Sequence, residues 1–73
     1  MSKLPQITGK ICVKALKRAG FYIDRQKGSH VIMLKDNPRL RACVPMHGEI
    51  KKGTLHQLLM DSGLSVDDFL KLL

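Results

Sequence analysis

The spacing of apolar residues changes period twice along this chain, and turn-forming residues stand at each change. In "TGKICVKALKRAGF", Ile11, Ala15, Leu16 and Ala19 recur at helical spacing and mark one apolar stripe. From Phe21 the period drops to two: "FYIDRQ" alternates, "HVIML" is apolar on both faces, and "RACVP" is a third short candidate strand. Leu55, Leu58 and Leu59 then restore helical spacing, and Phe69, Leu70, Leu72 and Leu73 form a last apolar group. The predicted order is α-β-β-β-α-α.

The connections agree with that order. Thr8 is placed to cap the first helix through its hydroxyl, and Gly20 to end it in the left-handed conformation, with Phe21 folding back. Lys27 and Gly28 fit a tight turn between the first two strands, and "KDNPRL" a second reversal. "GEIKKGT" reads as a loop, Gly63 as the stop of the next helix with Leu64 as its fold-back contact, and "SVDD" as a capping box for the last. Three strands joined this way form an antiparallel meander. The flanking helices can bury their stripes only by covering one face of it, which leaves the other face wet. The fold class is therefore α+β: a three-stranded antiparallel sheet with helices packed on one face.

Seventy-three residues form a single domain, 1–73, with no room for a second core. A chain of this size buries only about 60% of its unfolded surface, so chemistry is expected on an open surface rather than in a deep cavity. Thirteen Lys and Arg face six Asp and Glu, a net charge of +7. Such a field attracts polyanions, and nucleic acid is the leading partner class. Lys10, Lys14, Lys17 and Arg18 make the first helix cationic on its outward side.

Several classes find no support. No apolar stretch approaches the roughly 20 residues that span a bilayer, and "MSKLPQITGK" lacks the apolar region of a secretion signal, so a cytoplasmic protein with no membrane partner is expected. Cys12 and Cys43 are expected as buried free thiols acting as small apolar side chains. Together with His30, His47 and His56 they show no paired metal-ligand spacing. No phosphate-binding glycine loop and no G-x-S-x-G elbow occur, and no cofactor is expected. One Tyr, two Phe and no Trp leave no aromatic platform for bases, so contacts to a nucleic-acid backbone should dominate.

The α-β-β-β-α order, with a basic first helix and "KKGT" opening the next, resembles the double-stranded-RNA-binding-domain fold. There a helix N-terminus and its lysines hold phosphates, a role that would fall here to Lys51, Lys52 and the backbone around Gly53 and Thr54. That fold's third lysine, one turn on, is missing; His56 and Gln57 occupy the region. A closer resemblance runs from about Thr8 to Leu64. "ALKRAGF", "RQKGSH", "VPMHG" and "KKGTLHQLLMDSGL", in this order, resemble the HicA toxin family of bacterial toxin–antitoxin systems. One departure is that the fourth residue of the first helix, often acidic in that family, is Ile11 or Cys12 here. The resemblance implies a metal-independent endoribonuclease that cleaves mRNA through the histidine of the G-S-H motif, His30, and is neutralised by a HicB-type antitoxin.

The chemistry that such a cleavage needs can be matched to residues. A 2′-hydroxyl attacking the adjacent phosphorus needs a base, an acid for the leaving 5′-oxygen and positive charge at the phosphate. Histidine can serve as base or acid near neutral pH. Cations beside it disfavour its protonated form, so His30 is expected to act as base, with Arg25 or Lys27 neutralising the phosphate. Gly28 and Ser29 close the turn; Ser29 could instead donate to a phosphate oxygen, but serine beside glycine is common turn chemistry. His47 is the first candidate for the acid and water the second, although a loop histidine bonded to backbone is the commoner arrangement. His56 reads as a surface residue. His30 also has a plain reading, as a strand residue grouped with Ile32 and Leu34 opposite Val31 and Met33. Two other functions compete with the toxin: a non-catalytic double-stranded-RNA-binding module, and a basic surface that only docks an acidic protein.

Overall fold

A computed structural model of the chain describes residues 4–73; the first three residues of the N-terminal stretch lie outside it. It contains α1 (Gly9–Arg18), β1 (Tyr22–Lys27), β2 (His30–Lys35), β3 (Leu40–Pro45), α2 (Lys52–Asp61) and α3 (Val66–Lys71). The strands form one antiparallel sheet in the order β1-β2-β3. This is the expected α+β architecture.

The helix ends follow the glycines. Gly20 has φ +101°, the Phe21 N–H donates to the Leu16 carbonyl at 3.0 Å and the Gly20 N–H to that of Lys17 at 3.0 Å. Gly63 repeats the pattern at the end of α2, where the N–H groups of Leu64 and Gly63 donate to the carbonyls of Leu59 and Met60. In both places the chain reverses through a left-handed residue that satisfies otherwise unpaired carbonyls and returns an apolar side chain to the core. Ser65 caps α3 by accepting from the Asp68 N–H at 3.0 Å. Thr8 does stand at the N-cap of α1, but its hydroxyl accepts no capping bond.

The inner face of the sheet carries Val31, Met33, Ala42 and Val44, packed with Leu16, Leu55, Leu59 and Phe69 from the helices. α1 and α2 both pack against β3. All six residues of β1 are exposed. The helices thus cover the β2–β3 part of one face and leave β1 open on both sides.

Two core assignments differ from the sequence reading. Ile11 is 45% exposed, while Cys12 and Val13 are buried. The stripe that meets the core is Cys12, Val13, Ala15 and Leu16, set by the seating of Gly9 against the end of β3. Cys12 is the expected buried thiol, and burial pushes its pKa up to about 12. Cys43 is free but exposed, because it alternates with Ala42 and Val44 and so faces away from the helices. α2 also begins earlier than the leucine spacing implied: Lys52, Gly53 and Thr54 are already helical.

Candidate active site

The site begins at the hairpin between β1 and β2. Lys27 and His30 face each other as the last pair of the ladder, and Gly28 and Ser29 alone form the turn, with Gly28 at φ +60°. Lys27 is therefore a strand residue, one position outside the turn predicted for it. A two-residue turn with positive φ at its first position matches the twist of the strands it joins.

Pairing decides which side chains share a face. Residues directly opposite in neighbouring strands point the same way, and residues along a strand alternate. His30, Ile32 and Leu34 therefore lie on the outer face of β2, with Lys27, Arg25 and Tyr22 opposite them on β1 and Pro45, Cys43 and Arg41 on β3. A bulge at Asp24 keeps Tyr22 and Arg25 on that same face, although three positions separate them. His30 is exposed, and its ring makes no hydrogen bond among the described residues.

The loop that carries His47 is tied to the hairpin tip. The Met46 N–H donates to the Ser29 carbonyl at 2.6 Å, so Ser29 contributes through its backbone. On the other side, the Ile50 N–H donates to the Ile7 carbonyl at 2.9 Å and Thr8 bridges Glu49. His47 itself is exposed and makes no hydrogen bond among the described residues, unlike the backbone-bonded loop histidine weighed from the sequence.

These ties create a cleft of about 670 Å³ between the outer face of β2–β3 and α2. His30, His47, Lys51, Gly53 and Thr54 line it together. Arg25 and Lys27 line a second cleft on the sheet face, while Lys52, Gly28 and Ser29 line neither. Lys51 is the N-cap of α2 and offers no side-chain cap, and no acidic residue stands in the first turn. The first N–H groups of α2 thus lack intrahelical acceptors and, with the helix dipole, favour an anion at this end.

Sequence reasoning missed three further residues that line the same cleft, Glu49, Gln57 and Asp61. The Gln57 side-chain amide donates to the Asp61 carboxylate at 3.0 Å. The only sequence signal was the helical spacing of Thr54, Gln57 and Asp61 beside the leucine stripe, and acids in a basic chain did not suggest a nucleic-acid site. Among the described residues, no group of three or more His, Cys, Asp or Glu is placed to hold a metal ion. No described helix is long and apolar enough to cross a membrane.

The model of the HicA toxin of bacterial toxin–antitoxin systems matches residues 9–64. The chain belongs to the HicA toxin family. The match starts at the first residue of α1 and ends at Leu64, the fold-back residue that closes α2, so the residues lining the clefts, His30 and His47 among them, lie inside it and α3 lies beyond. A HicA toxin belongs to a two-component system, and membership implies an antitoxin as partner. No curated protein matches the chain.

Proposed function

We propose that this HicA-family toxin is a metal-independent endoribonuclease that cleaves mRNA, with His30 as the general base. The observation that carries the reading is an exposed imidazole beside a two-residue hairpin turn, opening into a cleft shared with Lys51, Thr54 and the cation-flanked start of α2. His30 accepts the proton of a ribose 2′-hydroxyl as that oxygen bonds to the adjacent phosphorus. The bond from phosphorus to the 5′-oxygen breaks, and the departing oxygen receives a proton from His47, or from water. Lys51, the first N–H groups of α2 and Lys27, directly across from His30, face the crowded phosphate with positive charge. A HicB-type antitoxin silences the enzyme.

General-base catalysis of this kind contributes about 10²- to 10⁴-fold, or roughly 3–5.5 kcal/mol of barrier. The test is an RNA cleavage gel in chelator comparing the parent with His30→Ala. A loss within that range, in a variant that still folds and binds RNA, is the expected outcome; undiminished cleavage rejects the role of His30. Binding by the parent with no cleavage product would instead favour the non-catalytic RNA-binding module, whose affinity should fall on Lys51→Ala or Lys52→Ala. Growth arrest on expression without an antitoxin, dependent on His30, separates both from a surface that only docks an acidic protein.

A further inference from the structure

We infer that the outer face of the sheet is a track for the RNA strand on one side of the cut. The inference takes the identity of that strand from the ribonuclease reading and adds where it runs. The second cleft, about 420 Å³, lies on this face and is lined by Arg25, Lys27, Arg39 and Arg41, by one carboxylate, Asp24, and by apolar Ile32, Leu34 and Leu40. All four cations are exposed. The Arg41 side chain has no hydrogen bond or ion pair among the described residues, and the ion pairs of Arg25 with Asp24 and of Arg39 with Asp36 are largely solvent-exposed. Pairs of that kind are worth little and can be exchanged for phosphate contacts.

Continuity with His30 favours nucleic acid over an acidic protein as the occupant. His30, Ile32 and Leu34 are alternate residues of one strand on one face, so the track begins at the imidazole and extends about 13 Å along β2. The second cleft has one carboxylate, that of Asp24, among its four cations, whereas Glu49 and Asp61 line the His30 cleft itself. A strand held at His30 thus meets the greater excess of positive charge over the second cleft. Tyr22, 44% exposed, and the half-buried Leu34 opposite it on the same face give a base somewhere to lie. The chain's one tyrosine is thus placed where a base can stack on it. This surface is distinct from the cationic side of α1, which points away from the sheet.

The test is the binding of a non-cleavable 2′-O-methyl RNA 12-mer across a salt series, so that it does not depend on catalysis. Arg39→Ala/Arg41→Ala should weaken binding about tenfold or more at low salt. It should also flatten the log–log salt slope by about 1.4, at roughly 0.7 for each of two phosphates no longer neutralised. Lys14→Ala/Lys17→Ala removes the same charge from α1 and should leave the slope near that of the parent. Equal losses in the two variants, or no loss in the arginine variant, overturn the track. So does an arginine variant that binds the 12-mer normally but no longer binds a hexaglutamate peptide, which would assign the face to an acidic protein. Cleavage by the parent is scored separately: binding without cleavage removes the nuclease reading and leaves the track to be judged on affinity, and a parent that binds no RNA overturns both.

Discussion

Gly9 shows how one residue can set the site from a distance. A Cβ placed there would fall on the Pro45 carbonyl oxygen and lie 2.8 Å from the Met46 sulfur and 2.9 Å from its Cα. Much of that obstruction is backbone, which has nowhere to move without shifting Met46, the donor to Ser29 beside His30. Alanine is the better helix former by about 1 kcal/mol. Gly9→Ala should nevertheless destabilise the protein by about 1–3 kcal/mol, through overpacking. A urea melt checks this, and a gain in stability would show that α1 does not press on the end of β3. At the same scale the two cysteines differ because strand alternation sends Cys43 outward, beside His30 in the cleft, while Cys12 is sealed in the core.

Among the elements, α3 depends most on its neighbours. Six residues are too few to hold a helix alone, and its one buried side chain, Phe69, is fully enclosed. Arg18 of α1 adds a bond to the Leu72 carbonyl. Phe69→Ala should cost about 3–5 kcal/mol, a large share of the roughly 5–15 kcal/mol that hold a domain together. The denaturation midpoint reads this directly, and a shift under 1 kcal/mol would mean that α3 contributes little to the core. The elements were legible in the sequence because their ends are chemical. Gly20 and Gly63 supply the left-handed residue, Ser65 supplies a cap and Gly28 a hairpin turn, and each acts on its immediate neighbours. Ile11 was misplaced because the face a helix buries is decided by its packing partner, here the end of β3. His30 could be singled out only through the combined motifs, since strand parity left both faces of β2 apolar. Glu49, Gln57 and Asp61 join it only through folding, so local pattern could not find them. Arg41 was likewise invisible as a site until the register placed it on the same face as Arg25, and Arg39 until the turn before β3 brought it to the same cleft.

For the molecule as a whole, charge acts in two opposed ways. A net charge of +7 sits on a body with a radius of gyration of 11.1 Å, with cations on the outer side of α1 and on the outer face of the sheet. Self-repulsion of that kind destabilises the compact state, and salt screens it over about 10 Å at 0.1 M. Raising salt from near zero to about 0.15 M should therefore raise the melting temperature while weakening RNA binding. Thermal melts and binding titrations over one salt series give the two signs, and a melting temperature that falls would show that attractive pairs dominate the surface. The bare β1 strand has a consequence of a different kind. An unpaired strand margin invites a second molecule to zip onto it and start a fibril. The surplus residue at Asp24 breaks the regular spacing of amide and carbonyl groups along that margin, and Asp24, Arg25 and Lys27 surround it with charge. The same irregularity that turns Arg25 toward the outer face thus keeps neighbouring toxin molecules from stacking edge to edge.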